Sequence, residues 1–155
     1  MTLEIQSWIT GFSDGEGCFC VSFSKREKLK IGIEVRPSFS LSQSAPSKDS
    51  LELIKKAFGV GGIRFSKNDN CYKYEVRSFD DLQNVVIPHF QEYPLQTAKE
   101  HDFLVFVKVL DIMKRKHHLT NDGMKKIINL VFDRGNSLVR ARTYDKETLL
   151  KLLRS

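Results

Sequence analysis

Cysteine is scarce here, and Cys18, Cys20 and Cys71 are odd in number and lack CxxC spacing. A disulfide framework and a cysteine-bound zinc are therefore not expected, and a reducing interior is the natural setting. The four histidines, His89, His101, His117 and His118, show no HExxH or Cys/His ligand spacing, so no histidine-bound metal is expected. No apolar run reaches the roughly 18 residues that a membrane helix needs. The opening Met1-Thr2-Leu3-Glu4 lacks the basic start and apolar stretch of a signal peptide. Membrane and secretion readings fall away, and an intracellular protein is expected, with a mitochondrial or chloroplast setting left open. Acidic charge is in deficit, 19 Asp and Glu against 25 Lys and Arg, for a net charge of +6. That balance suits an anionic partner, but its distribution must decide whether the partner is nucleic acid.

What is present belongs to a globular chain. Apolar residues make up 41% and aromatics 10%, with 11 Phe against a single Trp, a composition unlike disordered or collagenous sequences. At 155 residues the chain is long enough to bury about two-thirds of its unfolded surface. One domain over 1–155 is expected.

Apolar side chains at Leu3, Ile5, Trp8, Ile9 and Phe12 predict a helix over about 3–16, with Thr2 as N-cap. From Phe19 the period becomes two: Phe19, Val21 and Phe23 alternate with Cys18, Cys20, Ser22 and Ser24, as on a half-buried strand. The clearest strand signal runs from Leu29 through Ile31, Ile33, Val35 and Phe39 to Leu41, with polar residues between. Pro37 interrupts it and predicts a bulge, an edge position or a bend. A helix over 47–58 should start at Ser47 and stop at Gly59. The hairpin that follows, Ile63 and Phe65, then KNDN, then Tyr72, Tyr74 and Val76, completes a sheet over about 18–78. Helices near 79–91, 97–116, 120–133 and 145–153 fill 79–155. The order α-ββ-α-ββ-α plus further helices implies an α+β fold, a four-stranded antiparallel sheet with helices on one face.

Alternation sends Ser22, Ser24, Arg26, Lys28, Lys30, Glu34, Arg36, Ser38, Ser40, Arg64, Ser66, Lys73, Glu75 and Arg77 away from the core. Half of these are Lys or Arg and two are acidic. Arg can pair bidentately with guanine, Lys with phosphate, and Ser or Glu with either polarity of base edge. Any antiparallel sheet also has a solvated, charged face, so the surface reads either as nucleic-acid binding or as ordinary solvation. The sheet aromatics fall on the core side, which favours a duplex over an RNA platform that stacks bases.

The stretch WITGFSDGEGCF, Trp8 to Phe19, places three glycines in or at the end of a helix. Each glycine weakens a helix by about 1 kcal/mol relative to Ala. Gly11 and Gly15 share a face and would let two backbones approach, with Thr10 and Ser13 keeping the neighbouring surface small; Gly15 or Gly17 could equally serve as a C-cap. Asp14 and Glu16 lie at the helix end that the dipole makes unfavourable for acids. Carboxylates beside free carbonyls are hard oxygen donors of the kind Mg²⁺ accepts when phosphate and water complete its shell.

Residues Ile9 to Gly17, ITGFSDGEG, resemble the motif of the LAGLIDADG homing endonucleases. The similarity extends to Phe39-Ser40-Leu41-Ser42-Gln43, the FGVGGI turn at 58–63, Tyr93-Pro94-Leu95 with Lys99, and Leu119-Thr120 through Leu130. The resemblance implies an αββαββα unit whose saddle-shaped sheet lies on the DNA major groove. Only one motif copy is visible, so it implies a homodimer on a roughly palindromic duplex site, joined through Trp8, Gly11, Phe12 and Gly15. By the same resemblance Glu16 and the Gly15 carbonyl bind Mg²⁺, Asp14 is structural at the helix end, Gln43 positions water, and Lys99 supplies the basic group. Glu16 stands where Asp is usual, and Ser47-Lys48 where some relatives carry Arg. The implied activity is an intron-encoded, site-specific endonuclease hydrolysing one phosphodiester on each strand. The alternatives are an RNA maturase acting on intron RNA, and a DNA binder of the same fold that has lost cleavage.

Overall fold

The computed structural model describes residues 2–133 and 144–154. Helix α1 spans Ile5–Glu16, followed by β1 (Gly17–Lys25) and β2 (Ile33–Gln43), a short 3-10 turn (Ala45–Ser47) and α2 (Lys48–Phe58). Strands β3 (Gly62–Ser66) and β4 (Cys71–Val76) form the second hairpin. Then come α3 (Phe79–Asp81), a π-helical turn (Leu82–Val86), α4 (Ile87–Glu92), α5 (Lys99–Lys114), a 3-10 turn (His117–Leu119), α6 (Asn121–Val131) and α7 (Lys146–Leu152). The strands form one antiparallel sheet in the order β1-β2-β4-β3. The chain sorts into two compact units, Met1–Cys18 with Ser38–Glu100, and Phe19–Pro37 with His101–Ser155.

In the first unit, β2 pairs with β4 from Phe39↔Val76 to Gln43↔Tyr72, and β3 pairs with β4 from Gly62↔Glu75 to Ser66↔Cys71. Phe39, Leu41, Tyr74 and Val76 share the buried face. The Phe39 ring lies 6.4 Å from Phe58 and 5.4 Å from Phe90, so α2 and α4 cover this face. The FGVGGI turn follows from two glycines. Gly59 caps α2 in the left-handed region, its N–H donating to the Lys55 carbonyl, and Gly61, at φ +85°, lies where a Cβ would come within 2.8 Å of the Tyr74 ring. Tyr74 in turn donates its hydroxyl to the Val60 carbonyl at 2.8 Å.

The second unit is built on phenylalanine and aliphatic packing. Phe19 of β1 meets Phe103 and Phe106 of α5 at 5.4 and 5.3 Å, and Phe23 stacks on Phe132. Val21, Ile33 and Val35 from the strands, Val109 and Leu110 from α5, and Ile127 and Ile128 from α6 are all buried. Thr120 caps α6 as its side chain accepts from the Gly123 N–H, and Asp145 caps α7 through the Thr148 N–H.

Several boundaries depart from the sequence reading. Helix α1 starts at Ile5, capped by Glu4 rather than Thr2, because the Glu4 carboxylate reaches the Ser7 N–H at 2.8 Å. Strand β2 starts at Ile33 rather than Leu29; Lys28 and Lys30 sit in the turn before it. Pro37 lies within β2, and the β2–β4 ladder starts beyond it at Phe39, so on that side its missing N–H costs no rung, as at an edge position. The 79–91 helix contains a π-turn before Pro88, which relieves the missing N–H and the clash a proline imposes on an α-helix interior. Phe65, expected in the core, is 46% exposed, with its ring against that of Tyr72 at 5.3 Å.

Helix α1 is held to α4 by a buried polar relay. Thr10 donates to the Tyr93 carbonyl at 2.9 Å, His89 Nε2 lies 3.1 Å from Thr10 Oγ1, and Nδ1 lies 3.1 Å from the Gln6 side-chain oxygen. Both ring nitrogens of His89 thus face a polar partner, Thr10 Oγ1 on one side and the Gln6 amide on the other, and a neutral ring donates from one of them and accepts at the other. Burial is the main cause that lowers the His89 pKa to about 4, against a weaker opposing pull from Glu4. A His pKa lower in the folded chain leaves stability complete above about pH 6.5 and erodes it toward pH 4, by up to about 1.4 kcal/mol per unit. Urea unfolding should therefore show a lower midpoint at about pH 4.5 than at pH 7, and His89→Gln should flatten that difference. Gly123→Ala should lower stability by about 2 to 3 kcal/mol in a thermal melt, since a Cβ there would stand 1.8 Å from the His117 carbonyl oxygen.

Candidate metal centre and nucleic-acid face

The C-terminal turn of α1 carries Asp14, Gly15 and Glu16 and passes directly into β1 at Gly17. Gly17 is extended (φ −75°, ψ 158°), and its N–H donates to the Ser13 carbonyl. A Cβ at this position would come within 2.7 Å of that same carbonyl oxygen, so glycine is required by close approach rather than by a left-handed backbone.

The two acids at this end have different surroundings. Asp14 accepts from the Gln96 N–H at 2.9 and 3.1 Å, the Thr97 N–H at 3.1 Å and the Thr97 hydroxyl at 2.8 Å. These donors offset the unfavourable end of the helix dipole and pin the loop after Pro94 to α1. Glu16 is exposed, and among the described residues no hydrogen bond or ion pair engages its side chain. Lys99, at the start of α5, donates its ammonium to the Gly17 carbonyl, which places a cation one residue from Glu16. Gln43 ends β2 opposite Tyr72, half-buried, with its side chain likewise unengaged among the described residues. Glu16 and Lys99 are thus joined through Gly17, and Gln43 is not part of that contact.

Helix geometry leaves the carbonyls of the last turn without intrahelical donors, and Gly17 takes only that of Ser13. One free carboxylate beside such carbonyls fits a hard cation, which takes one or two carboxylates and completes its shell with water and phosphate. Among the described residues there is no group of three or more His, Cys, Asp or Glu that could hold a metal. The residues present therefore offer a hard cation one carboxylate, that of Glu16, and neighbouring carbonyl oxygens.

The outer side of α1 is open. Gly11 and Gly15 are exposed, with nothing within 4 Å of a Cβ built on either. Trp8 and Phe12 are half-buried and lie ring to ring at 5.2 Å. Thr10 and Ser13, read from sequence as neighbours of this stripe, face inward and are buried.

Polar and charged side chains line the strands of each unit. In the second unit, Glu34 accepts from Arg26 Nε at 2.5 Å and from Arg36 at 3.3 Å. These hydrogen bonds, Arg36 first and Arg26 next, hold its carboxyl below the usual range. Ser22 donates to the Arg36 carbonyl, Ser24 is half-buried, and Lys28 and Lys30 are exposed on the turn. In the first unit, Glu75 lies 3.4 Å from both Lys73 and Arg77. Arg64 is exposed, Ser38 is half-buried, and Ser66 is tied to Asp69 at 3.1 Å. Ser40 departs from expectation: it is 5% exposed, opposite Glu75 in the ladder.

Each acid on the face is thus bracketed by two cations, which fixes long side chains and leaves a net positive charge. The i, i+2 spacing of Glu34-Arg36 and of Lys73-Glu75-Arg77 carried this signal in the sequence. Nothing local could have revealed the bonds from Asp14 to Gln96 and Thr97, some eighty residues away.

The model of the LAGLIDADG endonuclease family matches residues 9–110. A protein of Neurospora crassa named probable intron-encoded endonuclease 3 is 31% identical over 131 residues, 83% of this chain and 24% of the relative. The chain spans about a quarter of the length of the first curated relatives it matches. The crystal structure of the homing endonuclease I-TnaI superposes with a TM-score of 0.82 at 33% identity, covering 98% of this chain and 97% of that one. The LAGLIDADG homing endonuclease I-LtrWI, bound to target DNA, gives 0.85 at 33% identity over 92% of this chain and 48% of its own. With its motif on α1, its sheet and its match over 9–110, this chain belongs to the LAGLIDADG endonuclease family.

Proposed function

We propose that this chain is a site-specific DNA endonuclease that works as a homodimer on a roughly palindromic duplex, with Mg²⁺ as its metal. The observation that carries the reading is the free, exposed Glu16 carboxylate at the end of the motif helix, one residue from the carbonyl that Lys99 holds. A second copy supplies the matching Glu16, and the open Gly11 and Gly15 face with Trp8 and Phe12 is the surface on which it docks. The near-complete mutual coverage with I-TnaI, a homing endonuclease, supports a single-motif unit of this length. The intron-encoded Neurospora relative supports an intron-encoded, intracellular origin.

The chain's own groups divide the work. Glu16 and the Gly15 carbonyl would hold the cation, which when bound supplies charge stabilisation to the phosphate and acidifies water. Lys99 holds positive charge beside the scissile phosphate and favours the charge that develops there. Gln43 orients water by hydrogen bonding. Asp14 keeps the α1 end and the loop leading to Lys99 in register. The bracketed cations Arg26, Arg36, Lys73 and Arg77, with Lys28, Lys30 and Arg64, take phosphates and base edges.

One observation favours the maturase reading. Phe65 is exposed beside Tyr72, whose ring lies 4.8 Å below the Lys48 ammonium, and such a pair can stack unpaired bases.

Cleavage of a duplex carrying the intron insertion site decides between these readings. Both strands should be cut in Mg²⁺ and bound without cutting in Ca²⁺; binding without cleavage in both ions would sink the nuclease reading. Glu16→Gln should reduce cleavage by at least about a hundredfold while leaving target affinity within a few-fold, as measured by gel cleavage and fluorescence anisotropy.

A further inference from the structure

The turn between β1 and β2 carries Lys28 and Lys30, and its own hydrogen bonds close it only locally. The Arg26 N–H donates to the Gly32 carbonyl at 2.8 Å, and the Gly32 N–H to the Leu29 carbonyl at 3.0 Å. Lysines on such a turn lose conformational entropy whenever they engage phosphate, unless something holds the turn in place. The tail after α7 supplies that hold. The Arg154 N–H donates to the Ile31 carbonyl at 3.1 Å, and its guanidinium Nη1 to the Glu27 carbonyl at 3.0 Å. Asn121, at the start of α6, donates its amide to the Arg154 carbonyl at 3.0 Å. Gly32, at φ +82°, presses against the same residue: a Cβ there would lie 3.2 Å from Arg154 Nε and from the Leu152 carbonyl oxygen. Arg154 therefore grips both ends of the stretch that bears Lys28 and Lys30, and α6 anchors the grip.

We propose that Arg154 is a positioning residue for DNA recognition, a strap that presents Lys28 and Lys30 to phosphates of the target duplex. The proposal rests on the reading of the polar face as a duplex-binding surface. One guanidinium N–H of Arg154 is committed to the Glu27 carbonyl, and its role runs through that hold on the turn, which hydrogen exchange at 26–32 reads directly.

Full-length Arg154→Ala should increase hydrogen–deuterium exchange of residues 26–32 severalfold while leaving α1 unaltered. Target affinity in Ca²⁺ should fall about tenfold, with footprint protection lost over the same positions as in the Lys28→Ala/Lys30→Ala double variant. The slope of log affinity against log salt should shrink by about 0.9 for each phosphate the protein ceases to neutralise, as it does in the Lys28→Ala/Lys30→Ala double variant. The two sets of changes should be non-additive when combined, and Arg154→Lys should restore part of the affinity. Asn121→Ala, which leaves the turn sequence intact, should show the same pattern more weakly and covers the case in which Arg154→Ala fails to fold. Unchanged exchange at 26–32 in either variant overturns the strap. Raised exchange with undiminished affinity overturns its role in recognition. In that event the lysine double variant tells the two failures apart: if it loses affinity, the turn reads DNA without the strap; if it does not, the duplex-binding reading of this turn has failed.

Discussion

Much of the candidate site depends on one carboxylate. Asp14 sits where the helix dipole disfavours an acid, and it is stabilised there by the Gln96 and Thr97 N–H groups and the Thr97 hydroxyl. Hydrogen bonds to an ionised acceptor are each worth about 1.5 to 3 kcal/mol when desolvated and less where water competes. Their larger effect is geometric: they fix the loop from Pro94 to Thr97 against α1. Lys99 starts its helix from that loop, with its N–H on the Thr97 hydroxyl oxygen and its ammonium on the Gly17 carbonyl. With Asp14 held by its donors, Glu16 is the acid left facing solvent.

The same division between a satisfied group and a free one recurs on the polar face. Glu34 and Glu75 each hold two cations in place, so under the proposed function the guanidinium and ammonium groups would be ordered before a phosphate arrives. Exposed ion pairs contribute little to stability, so their value here lies in preorganisation and in the sign of the field. Among the described residues no ion pair engages Lys28 or Lys30, and the turn that carries them is bonded to Arg154 through the Glu27 and Ile31 carbonyls.

Where a residue's environment was set by its neighbours in the chain, the sequence was legible. Alternation placed Phe39, Leu41, Tyr74 and Val76 in the core and Arg64, Lys73 and Arg77 outside. The glycine after α2 and the threonine before α6 marked those ends correctly. The same logic misplaced Phe65 and Ser40. Period two says which side of a strand a residue faces, but not how much of it its neighbours cover. The helix expected through Pro88 is there, with a π-turn before the proline, and the Glu4 cap was missed because a longer acid did the work usually given to Thr or Ser.

By itself the sequence determined the order of elements, the charge of the exposed face and the motif that marks the family, because each depends on residue types at short and fixed separations. Only the tertiary structure decided which acid is tied and which is free, since the partners of Asp14 come from some eighty residues away. It also decided that Thr10 turns inward to His89 and Tyr93 while Gly11 and Gly15 stay open. A helix shows its periodicity in one dimension, but the surface that covers each of its faces is chosen by packing.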